Sequence, residues 1–132
     1  MTLSDLNLHL DMVTQLLKAR DRLESMTSFL RAQNIDGMPR GSGESRKVES
    51  LSILISEEKD EVDRLERMVA RSEPEIKAYI DSIQDTHTRR VFYLRFISGY
   101  EWADVAAALG GKNTVDSVKS ICYRYLDLDE DP

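Results

Sequence analysis

The sequence predicts an all-α protein made of two long helices followed by a compact group of short ones. Apolar residues recur at spacings of three and four along most of the chain, which is the period of an amphipathic helix. Glycine and proline, which interrupt helices, are few and clustered between these segments. Near the C-terminus, two short helical patterns flank a pair of glycines. These observations favour a long N-terminal helical hairpin, similar to a coiled coil, followed by a small helix-turn-helix bundle.

The first helix is predicted over residues 4–35. Ser4 can cap its start by accepting a hydrogen bond from a backbone amide. Apolar residues at spacings of three, four and seven run from Leu6 to Leu30, with a shift midway, so the stripe drifts around the helix. Gly37 ends this helix, because glycine accepts the left-handed conformation of a C-cap.

A loop and a second long helix follow. Residues 37–45 hold three glycines and a proline and predict the loop of the hairpin. The second helix is predicted over residues 45–71. Its seam packs against the first helix or mediates self-association, and we expect the hairpin of residues 1–71 to do both, because two helices alone bury little apolar surface. The seam has a heptad-like spacing that only Glu58 interrupts: Val48, Leu51, Ile55, Val62, Leu65, Val69.

A second domain is predicted over residues 72–128. Ser72 and Glu75 have the spacing of a capping box, so a new helix is expected to start there. Asp85 precedes a further helix, which is expected to end at Gly99. Residues 129–132 are mostly acidic and are expected to form a frayed tail.

The two C-terminal segments predict a helix-turn-helix. The first of them has an apolar face that includes Trp102 and Val105, so we expect Trp102 to be a buried structural residue. Gly110 suits a left-handed turn position, and Thr114 is a good N-cap for the second helix. Val118 and Cys122 lie on the inner face of that helix.

The outward side of the last helix is where such proteins contact DNA. Four side chains are predicted to face base edges in the major groove: Ser117, Lys119, Ser120 and Tyr123. Four basic side chains are predicted to hold phosphates: Arg89, Arg90, Lys112 and Arg124. The expected ligand is therefore double-stranded DNA.

The stretch "RRVFYLRFISGYEWADVAAALGG" followed by "VKS" resembles region four of bacterial sigma factors. The whole chain resembles a family of small phage and prophage proteins, in which a hairpin with an "MPRGSG"-type loop precedes a sigma-region-four-like domain. Relatives include late-gene transcription regulators of the ArpU and RinA kind. The resemblance implies a sigma-like DNA-binding regulator of transcription. The turn between Gly110 and Val118 is longer than in the sigma pattern.

The charge distribution leaves a second interpretation open. Residues 85–126 hold six bases and four acids, a net charge of +2, although the whole chain has a formal charge of −6. That is few cations for a strong DNA-binding domain, so a dimer is needed to double the phosphate contacts. The alternative is a helical interaction module that contacts RNA polymerase or a phage packaging protein, similar to a small terminase subunit, with little direct DNA binding.

Several other functions find no support in the sequence. His9 and His87 are far apart, without a cysteine or acid at ligand spacing, and we expect both to be solvated. Cys122 is the single cysteine and is expected to be a small core residue. We therefore expect no enzymatic activity, metal or cofactor. The absence of a long apolar run or a signal peptide indicates no membrane span and a cytoplasmic protein.

Overall fold

A computed structural model describes residues 1–35 and 42–130, and every regular element in these ranges is helical. The predicted all-α class is confirmed. The elements, in chain order, are α1 (Leu3–Ile35), α2 (Ser42–Asp81), α3 (Thr86–Phe92), a π-helical turn (Tyr93–Ile97), α4 (Trp102–Leu109) and α5 (Val115–Glu130).

Helix α2 is longer than predicted at both ends. Ser42 to Ser45 are helical, although they were expected in the loop, and the rest of that loop, Gly37 to Gly41, lies outside the described residues. The predicted new helix start at Ser72 is wrong, because α2 continues through Pro74 to Asp81. Pro74 cannot donate a hydrogen bond to Ala70. Both residues are exposed, so water can reach the freed carbonyl of Ala70.

The C-terminal end of α5 also differs from the expectation. The backbone is helical up to Glu130, whereas Asp129 and Glu130 were expected in a frayed tail. Asp131 and Pro132 lie outside the described residues.

The chain divides into two compact units. The terminal unit combines Met1–Thr14 with Met68–Pro132, and the central unit is Gln15–Arg67. This division differs from the predicted boundary at residue 71. The start of α1 belongs with the C-terminal helices because Leu6 and Leu10 are part of their hydrophobic core.

The core of the terminal unit collects apolar side chains from all five helices and the π-helical turn. Phe92 is fully buried, and its ring contacts those of Phe96, Tyr125 and Tyr79, at centroid distances of 5.6, 5.4 and 6.4 Å. The contacts with Tyr79 and Tyr125 are edge to face, and the contact with Phe96 is tilted. Ring pairs of the edge-to-face kind add stability beyond that of the apolar area that they bury. The other buried members are Leu6, Leu10, Ile76, Ile80, Ile83, Val91, Val105, Ala106, Val118, Cys122 and Leu126.

In the central unit, part of the seam of α2 is buried within the chain itself. Ile55, Val62 and Leu65 are buried. Glu58, which interrupts the apolar pattern, accepts a hydrogen bond from Arg22 of α1 at 2.9 Å. A second ion pair joins α1 and α2 between Arg20 and Glu66 at 3.1 Å. These three seam residues are therefore already covered, whereas Val48 and Leu51, earlier on the seam, are half-buried.

His9 is buried in the terminal unit, so the expectation that it is solvated is wrong. Its Nδ1 forms a 2.5 Å hydrogen bond with Ser72 Oγ, and its Nε2 has no hydrogen-bond partner among the described residues. Burial lowers the pKa of His9, and the nearby carboxylate of Glu73 acts in the opposite direction. Ser72 contacts His9 instead of capping a helix. His87 is exposed, as expected.

Candidate nucleic-acid interface

Helix α3 is fixed at its start by a side-chain cap. Asp85 accepts hydrogen bonds from the hydroxyl and the backbone N–H of Thr88, and these bonds lower the pKa of the Asp85 carboxyl. One turn later, Arg89 donates to the backbone oxygen of Ile83 at 2.9 Å and to the hydroxyl of Thr86 at 3.4 Å. The guanidinium of Arg89 thus ties α3 to the short segment that follows α2.

The chain reverses after α3 through a widened helical turn. The N–H of Ser98 donates to the oxygen of Tyr93, five residues earlier, which defines the π-helical turn. Gly99 follows with a φ of 76°, a conformation that glycine adopts without steric cost. Arg95 then donates to the backbone oxygen of Tyr100 at 2.9 Å. This hydrogen bond fixes the loop that leads into α4.

The turn between α4 and α5 is held by backbone conformation and by a cap. Gly110 and Gly111 both have positive φ, 67° and 62°. Asn113 closes the turn, since its side-chain amide donates to the oxygen of Gly110 at 2.6 Å. Thr114 and Ser117 form a reciprocal cap in which each backbone N–H donates to the other hydroxyl, at 2.8 and 3.1 Å. Although the turn is longer than in the sigma pattern, these hydrogen bonds fix the start of α5.

The hydroxyl of Ser117 is already used by this cap. It also donates to the backbone oxygen of Thr114 at 3.0 Å, and the residue is half-buried. Ser117 was predicted to face base edges, and the structure shows it fixing the first turn of α5. A side chain with this role fixes the direction in which α5 starts.

The exposed side of α5 mixes bases, acids and one aromatic residue. Val118, Cys122 and Leu126 are buried, as the helical period predicts. Among the remaining predicted contacts, Lys119 and Ser120 are half-buried, whereas Tyr123 and Arg124 are exposed. Two acids are exposed in line with Ser120 and Tyr123: Asp116 and Asp127. The middle of the outward face is thus acidic, with Lys119 to one side and Arg124 to the other.

An aromatic and cationic cluster lies beside this face. The rings of Trp102 and Tyr123 meet edge to face, with centroids 6.2 Å apart. The guanidinium carbon of Arg95 lies 4.7 Å from the centroid of Trp102, within the range of a cation–π contact. Trp102 packs against the core, as expected of a structural residue, but it is half-buried and not fully buried.

The predicted phosphate contacts lie in different surroundings. Lys112, in the turn before α5, is exposed, as is Arg124. Arg90 is also exposed, and it lines a groove of about 290 Å³. The groove includes no residue of α5, and its other lining residues are Asp81, Arg89, Tyr93, Leu94 and Leu109. The structure therefore places Lys112 just before α5, Arg124 at one side of its outward face, and Arg89 and Arg90 on the groove.

Sequence reasoning missed the contribution of Arg95. Arg95 is next to Phe96 in the sequence. The helical pattern indicates only that Arg95 is a basic side chain beside a buried position, and it does not identify a contact. The signal that was available is the spacing of seven from Arg95 to Trp102, but the intervening turn at Gly99 hides this proximity. The position of Ser117 in the cap could have been read from its spacing of three from Thr114.

The remaining candidate groups are the single cysteine and the acidic and histidine side chains of the described residues. Cys122 is fully buried, and burial raises the pKa of its thiol to about 12, as befits a core residue. Residues 1–35 and 42–130 contain no cluster of three or more histidine, cysteine or acidic side chains that could hold a metal ion. Within the same ranges, no helix has the length and apolar character needed to cross a membrane.

Comparisons with protein-family models, with curated proteins and with solved structures gave no match to this chain.

Proposed function

We propose that this protein is a sigma-like, DNA-binding regulator of transcription of the phage type, which uses α4, α5 and their connecting turn as a helix-turn-helix. The observation that carries the proposal is the α5 surface: a capped helix start, preceded by a tight glycine turn, with Lys112, Lys119, Tyr123 and Arg124 around its outward side. Helices presented in this way enter the major groove with their N-terminal residues toward the bases.

The roles of the individual residues follow from their positions. Lys119 and Tyr123 are one turn apart and contact base edges, with Ser120 beside them. Arg124 is rotated by about 140° from Lys119, at about 100° per residue, and holds a flanking phosphate with Lys112. The Thr114–Ser117 cap fixes the reading helix, and Arg95 and Trp102 hold Tyr123 at its edge.

The proposal includes a helical hairpin that dimerises the protein. The ion pairs Arg20–Glu66 and Arg22–Glu58 support an antiparallel arrangement of α1 and α2, because the later residue of α1 meets the earlier residue of α2. A dimer is needed because Asp116 and Asp127 repel phosphate, so that one copy supplies few favourable contacts. Two copies double them and match two half-sites. In this proposal the protein works in the cytoplasm, with RNA polymerase as a further partner.

The test is a salt series of DNA binding by fluorescence anisotropy, on DNA that flanks the protein's own gene and on a scrambled duplex. Lys119→Ala should lose about 1–3 kcal/mol on the specific duplex and relax the sequence preference, whereas Arg124→Ala should weaken binding to both and lower the salt slope by about one. Lys77→Ala, which changes an exposed lysine of α2, is the matched control and should bind as the wild type does. Failure of the wild-type protein to bind either duplex at low salt would refute the proposal.

The alternative is a helical interaction module for RNA polymerase or a packaging protein. The observation that favours it is the acidic middle of the α5 face, with Asp116 and Asp127 exposed and Leu128 75% exposed beyond them. An apolar side chain surrounded by acids suits a protein surface better than a phosphate backbone. A Leu128→Ser variant separates the two functions: it should leave DNA binding unchanged and weaken capture of RNA polymerase.

A further inference from the structure

We propose that the central unit binds a cationic amphipathic helix of another protein in a groove between α1 and α2. The groove lies within residues 15–67, separate from the α5 surface, and the proposal does not rest on DNA binding. It names an interaction surface and the chemistry of its partner.

The groove is wide and has an apolar floor. Its volume is about 470 Å³, within the range of about 300–1,000 Å³ that is typical of sites that bury a ligand. Met26 of α1 and Leu54 of α2 supply the apolar lining. Four charged residues also line the groove: Asp21, Arg22, Glu57 and Glu58.

The apolar surface extends beyond the groove. Leu54 is 51% exposed, although it is next in sequence to Ile55, a buried residue of the α2 seam. Phe29 lies one turn after Met26 on α1 and is 58% exposed. Residues three apart share a helix face, so Met26 and Phe29 continue the same surface. Contiguous exposed apolar side chains of this size mark interaction sites more often than isolated ones do.

The charges select the partner. Arg22, the one cation of the groove lining, is already paired with Glu58 at 2.9 Å. Asp21 and Glu57 have no cationic partner among the described residues, so the rim of the groove has an excess of negative charge. A partner helix with lysines or arginines beside its apolar side chains matches both the apolar lining and the acidic rim of the groove.

A second copy of this chain fits the groove less well. A two-fold dimer through this groove places the same patch of both copies together, so that the acidic rim of one copy, with Asp21 and Glu57, lies against the acidic rim of the other. Like charges in such positions oppose association. The groove therefore favours a partner of opposite charge, and dimerisation of the hairpin requires another face.

The experiment measures binding of a fluorescein-labelled peptide of about 18 residues, long enough to form a helix, with leucine at heptad a and d positions and lysine elsewhere. A peptide with glutamate in place of lysine is the charge control. Leu54→Ser removes apolar contact in the groove, and Ile53→Ser, at a neighbouring residue with 55% exposure that does not line the groove, is its matched control. Glu57→Gln removes a rim charge, and Glu49→Gln, an exposed acid of α2 outside the groove, is the control for charge.

We expect the lysine peptide to bind the full-length protein and the glutamate peptide to bind much more weakly. Leu54→Ser should weaken binding about tenfold, and Glu57→Gln about threefold with a smaller salt dependence, whereas the two controls should change it less than about twofold. Equal effects of a variant and its control mean that the peptide binds the acidic surface non-specifically, and they overturn the proposal. Sedimentation that shows a wild-type dimer, broken by Leu54→Ser and retained by Ile53→Ser, also overturns it, because the occupant would then be a second copy.

Discussion

Replacement of Phe92 by alanine should be among the most damaging single changes to the terminal unit. Phe92 is fully buried and touches three other aromatic rings. Truncation of such a side chain leaves a cavity, because the surrounding rings are themselves held by helices and cannot collapse into the space.

The expected loss in the free energy of unfolding is about 3–5 kcal/mol, the range for a buried phenylalanine. The upper half of this range is expected, since two edge contacts and one tilted ring contact, of about 0.5–1.5 kcal/mol each, disappear with the ring, although such contacts do not add fully. A Phe92→Leu variant keeps most of the apolar volume and should lose less than about 1.5 kcal/mol. With a denaturant slope of about 2 kcal/mol/M, the alanine variant should unfold at about 2 M less urea than the wild type.

The fluorescence of Trp102 provides the assay. It is the single tryptophan of the chain, and it packs against the core that contains Phe92. Its signal in a urea titration therefore follows the terminal unit, whereas circular dichroism follows the helices of both units. Tyr93→Ala is the control, because Tyr93 follows Phe92 directly but is 41% exposed.

The control variant should lose less than about 1 kcal/mol, as exposed positions usually do. If Phe92→Ala and Tyr93→Ala shift the tryptophan midpoint equally, the orientation of α3 against the core is wrong. The same conclusion follows if Phe92→Ala leaves the tryptophan midpoint unchanged.

Three further predictions concern single groups. The free energy of unfolding should fall as the pH drops below about 6.5, because the unfolded chain takes up a proton at the ordinary histidine pKa while burial lowers the pKa of His9 in the folded state. Urea titrations at pH 7.5 and 5.5 check this: His9→Leu should remove the difference, and His87→Gln, at an exposed site, should keep it. Iodoacetamide at pH 8 should alkylate Cys122 in the folded protein about a thousand times more slowly than in urea, because a pKa of about 12 in place of 9.0 lowers the thiolate fraction by that factor. Mass spectrometry follows the labelling, and rapid labelling without urea would contradict the burial of Cys122. Thr114→Ala should cost about 1 kcal/mol through loss of the α5 cap, measured by the tryptophan midpoint, and Thr114→Ser should retain most of the stability; equal losses in the two variants would argue against the cap.

The regular parts of the fold were predictable because local patterns determine them. The apolar period of α5 indicated that Val118 and Cys122 are buried, and the position of Asp85 indicated the start of α3; both are confirmed. The predicted helix start at Ser72 was wrong, although a capping-box spacing and a nearby proline, here Pro74, usually mark a helix start. In α2, the buried residues on either side, Val69 and Ile76, keep the helix continuous across them.

Long-range packing was less accessible to sequence reasoning. His9 has a polar side chain that suits an exposed position, and only its proximity to Ser72, far along the chain, explains its burial. The candidate interface has the same limitation. Lys119, Tyr123 and Arg124 were found from the helical period, whereas the contact of Arg95 with Trp102 depends on how the chain reverses at Gly99.

The terminal unit combines segments that lie far apart in the sequence, which has a consequence for its synthesis. Leu6 and Leu10 share a core with Cys122 and Leu126, so that core can close only after more than a hundred further residues have left the ribosome. The central unit, residues 15–67, has its partners close together in sequence and can form while translation continues. Until then, the apolar side chains of Leu6 and Leu10 lack their native contacts with α5, and exposed apolar surface of this kind promotes aggregation.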